Sequence, residues 1–216
     1  MGEAIMVLGK SGSGKSTSLR NPDPLTYSVV SVSGKKLPFK TTKRTINTDD
    51  YAKVSRVLNE SPTDIIVIDD SQYLMANEYM RSATQKFTKD GTFEFYKQLG
   101  YNFWNLVNEV KTLPDSKLVY FLHHVEADEF GGLKEKTIGK MLDDKVSLVG
   151  MFNVVLLASH IDDKYFFLTQ NEGSSPAKSP MGMFAERSID NDLAIVDKAV
   201  REFYDLPAPR RMEEKP

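Results

Sequence analysis

Apolar residues in this chain come in short continuous blocks separated by stretches of mixed polarity. Ala4-Ile5-Met6-Val7-Leu8, Asp64-Ile65-Ile66-Val67-Ile68 and Lys117-Leu118-Val119-Tyr120-Phe121-Leu122 have the length of strands buried on both faces. Phe152 to Ala158 and Tyr165 to Thr169 read the same way, and the β-branched run Leu25 to Val32 adds another strand. Between them the pattern turns helical. Thr48 reads as the N-cap of a helix reaching about Asn59, with Asp49 and Asp50 in its first turn. Gln72 to about Leu113 is helical with a break near Lys89-Asp90-Gly91-Thr92, and Asp190 to Tyr204 is amphipathic. Trp104, among Tyr101, Phe103, Leu106 and Val107, has core spacing. Strands alternating with helices predict an α/β fold, a mainly parallel central sheet flanked by helices. The close succession of the last two strands predicts an antiparallel hairpin at one edge. One domain over 1–206 is expected, followed by a proline-rich, charged tail at 207–216 that frays.

Composition narrows the classes. The chain has 216 residues, 40% of them hydrophobic, enough for a substantial core. Its net charge of −2 gives no global field for nucleic acid, so any such binding needs a local patch. The absence of cysteine excludes disulfides and thiolate metal sites and suits a reducing compartment. No basic leader opens the sequence and no apolar run approaches a membrane span, so neither export nor a membrane is expected.

The chemistry concentrates in Gly9-Lys10-Ser11-Gly12-Ser13-Gly14-Lys15-Ser16-Thr17, which fits the phosphate-binding pattern G-x-x-x-x-G-K-[ST]. It follows a strand and precedes Ser18-Leu19-Arg20, the expected first turns of a helix. Glycines let successive N–H groups curl round a phosphate, and a helix N-terminus adds partial positive charge. Lys15 has the reach for β- and γ-phosphates, and the Ser16 hydroxyl is a ligand for Mg²⁺. Ile65-Ile66-Val67-Ile68-Asp69 supplies the second half, a buried strand ending in an acid for the metal. Asp70, next to it, reads either as the acid that activates water or as a cap on the following turn. His123 and His124 end the next strand. His124 is the preferred reporter of the γ-phosphate, the alternative being an ordinarily satisfied histidine. ATP and Mg²⁺ are the cofactors implied.

Two basic stretches stand apart. Lys35, Lys36, Lys40, Lys43 and Arg44, with Phe39 among them, suit a nucleic-acid backbone and one stacked base, or else an ordinary exposed hairpin. Lys134, Lys136 and Lys140, spaced by Gly131, Gly132 and Gly139, suit phosphate tracking, or else a solvated loop, since Glu135, Asp143 and Asp144 dilute them. Lys178, on a proline-bearing loop, is a candidate for reaching a nucleotide on an adjacent subunit, with Arg187 the second.

The ordered set Gly9–Ser16, Asp64–Asp70, Leu122-His123-His124-Val125-Glu126, Thr137-Ile138-Gly139-Lys140 and Thr169-Gln170 with Ala177-Lys178-Ser179-Pro180 resembles the AAA-type ATP-binding proteins of tailed phages. These have a RecA-like P-loop NTPase core and include single-strand-annealing recombination proteins. The resemblance spans about 3–205. It implies an ATPase that binds single-stranded DNA and promotes annealing or homologous recombination. It further implies a homo-oligomer in the cytoplasm of an infected bacterial host, working beside a single-strand-binding protein. Lys15, Ser16, Asp69 and His124 match its nucleotide, metal and sensor positions. Two features depart from it. No acid stands in Val30-Ser31-Val32-Ser33-Gly34, where such recombinases carry a catalytic glutamate, so either Asp70 or Asp49/Asp50 substitutes or hydrolysis is slow. No separate N-terminal polymerisation domain is expected ahead of the P-loop, so stable RecA-style filaments are not expected either. A nucleotide kinase and a nucleotide-dependent assembly factor that does not bind DNA are the alternatives.

Overall fold

The computed structural model describes residues 1–23, 26–43, 45–82, 84, 89–129, 131–139, 147–171, 173 and 175–212. In chain order the elements are β1 (Glu3–Gly9), a 3₁₀ turn (Ser16–Arg20), β2 (Tyr27–Ser31), β3 (Ile46–Asn47), α1 (Tyr51–Glu60), β4 (Ile65–Asp69), α2 (Gln72–Arg81) and α3 (Lys89–Val110). They continue with β5 (Leu118–Ala127), β6 (Leu133–Glu135), β7 (Val154–Ile161), β8 (Lys164–Leu168), β9 (Ser188–Asp190) and α4 (Leu193–Phe203). The strands form one sheet in the order β3-β2-β4-β5-β1-β7-β8-β9, with β6 paired to the end of β5. From β3 to β7 every pairing is parallel; β8, β9 and β6 are antiparallel additions. The fold is thus the expected one, a mainly parallel sheet with an antiparallel edge hairpin.

Alternation along the strands builds two cores, because successive side chains point to opposite faces. Met6, Leu8, Ile66, Ile68, Val119 and Phe121 pack against α1, α2 and α3 through Val54, Leu58, Leu74, Met75, Phe103 and Val107. Ile5, Val7, Val67, Tyr120 and Leu122 face the other way, onto Leu19 and the α4 residues Leu193, Val196 and Val200. With both faces covered, the central strands read as unbroken apolar runs, which is why they were legible. The β7–β8 hairpin turns through Asp162 and Asp163, both left-handed at φ 47° and 61°, the twist a two-residue hairpin needs.

Several local expectations are corrected. Asp50, not Thr48, caps α1: its Oδ1 accepts from the Ala52 and Lys53 amides, while Thr48 Oγ1 accepts from the Asp50 amide. The expected interruption of the helical stretch is present but lies just before Lys89 to Thr92: α2 ends at Arg81, and Lys89 to Thr92 form the first turn of α3. Trp104 is 41% exposed and stacks on Tyr101, so it is a surface residue. The segment read as a loop after β5 contains β6. At the tail, Arg210 pairs with buried Asp64 at 2.7 Å and Arg211 with Asp23 at 2.7 Å, contacts that hold the chain back against the sheet. Residues 213–216 lie outside the described residues.

Candidate nucleotide site

Parallel register brings the chemistry to one edge. Gly9 at the end of β1 is level with His124 on β5, and Ser31 on β2 is level with Asp69 on β4. The C-terminal ends of four neighbouring strands thereby open onto a cleft of about 480 Å³, lined by the phosphate loop on one side and by Lys35, Asp69, Asp70 and His124 on the other. Open α/β sheets bind ligands at this edge. A larger cleft of about 730 Å³ lies at the opposite end of the strands, beside Tyr27, Ile65 and Leu206. Its buried ions, Asp197 and Arg201, are paired with each other, so the phosphate chemistry belongs to the smaller one.

The loop's glycines are required by geometry at two points. A Cβ on Gly14, which has φ of 94°, would sit 2.6 Å from Tyr165 Cδ1, and one on Gly9 would overlap Ser13 Oγ and the Ala158 carbonyl. Lys15 is buried; its ammonium donates to Gly9 O at 2.8 Å and Lys10 O at 2.9 Å. Burial lowers its pKa to about 8, against the opposing pull of Asp70 and Asp69. The helix expected after the loop is only the five-residue 3₁₀ turn, because Asn21-Pro22 ends it. The phosphate cradle therefore rests on loop amides and Lys15 more than on a helix dipole.

Ser16 Oγ donates to Asp69 Oδ1 at 2.8 Å, which joins the two motifs across 53 residues. Burial raises the Asp69 pKa, with the Ser16 hydrogen bond pulling the other way. Two hard oxygens held together beside a buried lysine fit Mg²⁺ carried in with phosphates, for which one or two protein oxygens suffice. Ser13 Oγ, buried in the loop with no partner among the described residues, is a further polar atom that a phosphate would satisfy.

Asp70 has a left-handed backbone, φ 60°, a strained choice for a non-glycine residue. Three partners hold its side chain: Ser33 Oγ at 2.7 Å and Lys35 Nζ at 3.3 Å on Oδ2, and His124 Nε2 at 3.1 Å on Oδ1. Burial pushes its pKa up, but the bonds from His124 and Ser33 and the Lys35 charge outweigh that and hold the carboxyl well below the usual range. Asp49 and Asp50 do not join it. Asp49 is bound to Arg81 and Asn77, and Asp50 caps α1.

The two histidines diverge as strand neighbours must. His124 faces the cleft, while His123 is fully buried behind it against Phe103. His123 Nε2 donates to Lys136 O at 2.8 Å, so Nδ1 accepts from Ser71 Oγ at 2.9 Å. Burial pushes its pKa down to about 4 from an ordinary 6.5. The unfolded chain then binds a proton that the folded chain refuses between those values, so stability falls as pH drops from 6.5 to 4 and levels off below. The loss amounts to roughly 3 kcal/mol for this shift. His123→Gln, which keeps a donor and an acceptor but does not titrate, should flatten that part of the urea-midpoint profile. An unchanged difference from wild type across pH 4–6.5 would contradict it.

The other sequence candidates are scattered. Lys35 and Lys36 line the nucleotide cleft. Lys40 is exposed and does not line it, Lys43 lies over the Tyr27 ring and donates to Tyr27 O, and Phe39 is half-buried against the second core. Arg44 and Lys140 lie outside the described residues. Lys134 on β6 pairs with Glu126 at 3.3 Å, and Lys136 is exposed beside it. Lys178 bridges Val155 through its backbone near the start of β7 and does not line the cleft. Ser33 and Tyr165 were missed. Both reach the cleft only through tertiary folding, and neither carries a motif of its own.

A strand, phosphate loop, buried lysine and serine–aspartate pair on a parallel sheet define a P-loop NTPase site. A family model described as an AAA domain matches residues 1–181, and the chain belongs to that family. The family match carries with it a nucleotide-binding ATPase class. No curated protein matches the chain. Among the described residues no helix is long and apolar enough to cross a membrane, and no cluster of three or more His, Asp or Glu forms a metal site independent of a nucleotide.

Proposed function

We propose that the chain is a Mg²⁺-dependent ATPase that binds single-stranded DNA and promotes annealing or homologous recombination, as a homo-oligomer of phage origin. The observation that carries the DNA half is a buried hydrogen-bonded link. Ser71, two residues after Asp69, bonds His123, and His123 bonds Lys136 O on the lysine-bearing segment at β6. A rearrangement at the acid pair has a direct route to Lys134 and Lys136.

At the nucleotide, Lys15 and the loop amides neutralise phosphate charge, and Ser16 with Asp69 would hold the metal. A bound Mg²⁺ would supply Lewis-acid stabilisation of the phosphate charge. Water attacks the γ-phosphorus, the bond to the β–γ bridging oxygen breaks, the water's proton passes to an oxygen of the transferred phosphate, and ADP and inorganic phosphate leave. Asp70 orients the water and His124 fixes Asp70. A nucleotide kinase needs arginines over its phosphates and is disfavoured because Arg81 and Arg201 are bound to Asp49 and Asp197. One observation favours the assembly-factor reading: Asp70 is held as a carboxylate by three partners and is a poor proton acceptor.

The test is anisotropy of a labelled oligonucleotide at low salt with ATP and Mg²⁺. Binding is expected, and Lys134→Ala with Lys136→Ala should weaken it and flatten its salt slope by about 0.7 for each phosphate no longer neutralised. No binding under those conditions would remove the DNA reading and leave the assembly factor.

A further inference from the structure

The basic stretch after β2 has the composition of a nucleic-acid contact, but its first two lysines open into the nucleotide cleft. Ser31 ends β2 beside Asp69, and the chain then turns at Ser33-Gly34. Gly34 has φ of 69°, which the turn requires, its amide donates to Ser31 O at 3.4 Å, and Ser31 Oγ donates to Lys35 O at 3.1 Å. The turn is therefore tied at both ends, and it presents Lys35 to the wall facing the phosphate loop. There the ammonium lies 3.3 Å from Asp70 Oδ2 and 5.6 Å from the Tyr73 ring centre.

This pair is lopsided. The Lys35 side chain is 66% exposed, whereas that of Asp70 is 11% exposed. A single ion pair with one partner in water is weak and easily exchanged. Asp70 would not collapse without it, since Ser33 and His124 hold both carboxylate oxygens independently. A terminal phosphate offers more negative charge than one carboxylate and several acceptor oxygens, so it competes well for a long, flexible cation. β2 and β1 are separated by β4 and β5, so Lys35 approaches a bound phosphate chain from the side opposite Lys15.

We propose that Lys35 is a second phosphate-binding cation of this site, which leaves Asp70 for the terminal phosphate of a nucleoside triphosphate and so distinguishes triphosphate from diphosphate. The inference rests on the nucleotide-site reading above. Lys35 contacts the one group that ATP has and ADP lacks, whereas Lys15 and the loop serve both.

Titration calorimetry with Mg²⁺, using ADP and the non-hydrolysable β,γ-imido analogue of ATP, tests it. Lys35→Ala should weaken the analogue by about tenfold or more and ADP by less than about twofold, the selectivity expected of one charge-assisted hydrogen bond to the terminal phosphate. Lys35→Arg should recover most of the analogue's affinity, and Lys53→Ala, an exposed α1 control, should match wild type. Equal loss for both nucleotides would reduce Lys35 to a support for Asp70, and no loss for either would remove it from the site; both results overturn the proposal. Wild type that binds neither nucleotide, or Lys15→Ala that binds both as well as wild type, would overturn the nucleotide site itself and the Lys35 role with it.

Discussion

Asp69→Asn is expected to lose about a hundredfold or more in ATP turnover while becoming more stable than wild type. The loss follows from the metal role proposed for Asp69: an amide oxygen would replace a carboxylate where positive charge must be held against phosphate, and removing one preorganised electrostatic partner costs about 10²–10³ in rate. The gain follows from burial. Asp69 is 6% exposed, and its raised pKa means the folded state disfavours its charge. Such a group supports folding only when protonated, and that support is gone by neutral pH. Asn keeps an acceptor for Ser16 without the charge, so stability at pH 7 should rise by about 1 kcal/mol, seen as roughly 2–4 °C in Tm. The advantage should vanish as pH falls below the ordinary aspartate value, where wild type is neutral too. Thermal melts at pH 7 and pH 3.5 beside a phosphate-release assay read both. A variant that loses activity and stability together would make Asp69 a structural acid.

Lys15→Met should abolish nucleotide binding, with turnover down by about 10³ or more, since it removes the only cation buried in the phosphate loop among the described residues. The fold should survive. The Lys15 ammonium is held against a desolvation cost that already lowers its pKa to about 8, and an apolar chain of similar length relieves that cost. Gly9 O and Lys10 O lose their donor, which offsets part of the gain. Calorimetry with ADP and a urea melt separate the two effects. Nucleotide affinity within about twofold of wild type would place the phosphates elsewhere.

Much of this site was legible because its chemistry is contiguous. Nine residues from Gly9 to Thr17 make the loop, and one apolar strand ends in Asp69, so spacing alone brings these residue types to one cleft. The sheet was legible for a related reason: strands covered on both faces have no polar alternation to confuse with a helix. What failed depends on tertiary folding. Tyr165 lies against Gly14 only because the β7–β8 hairpin runs back along β1's edge, and nothing local to Tyr165 signals it. Lys35 sits 35 residues from Asp70, and its role hangs on a turn whose direction no periodicity encodes. Trp104 fits a helical core pattern, yet α3 is wide enough in apolar residues to leave one aromatic face outside. The two adjacent histidines were separable in principle, since strand neighbours face opposite ways, but which faced the cleft required the register with Gly9.

The most direct measurement is steady-state ATP turnover by the wild-type chain, with Mg²⁺, in the presence and absence of single-stranded DNA. Turnover stimulated by the DNA would join the nucleotide cleft to the lysines at β6, as the buried Ser71–His123–Lys136 link requires. Turnover that ignores the DNA, or none at all, would contradict the coupling.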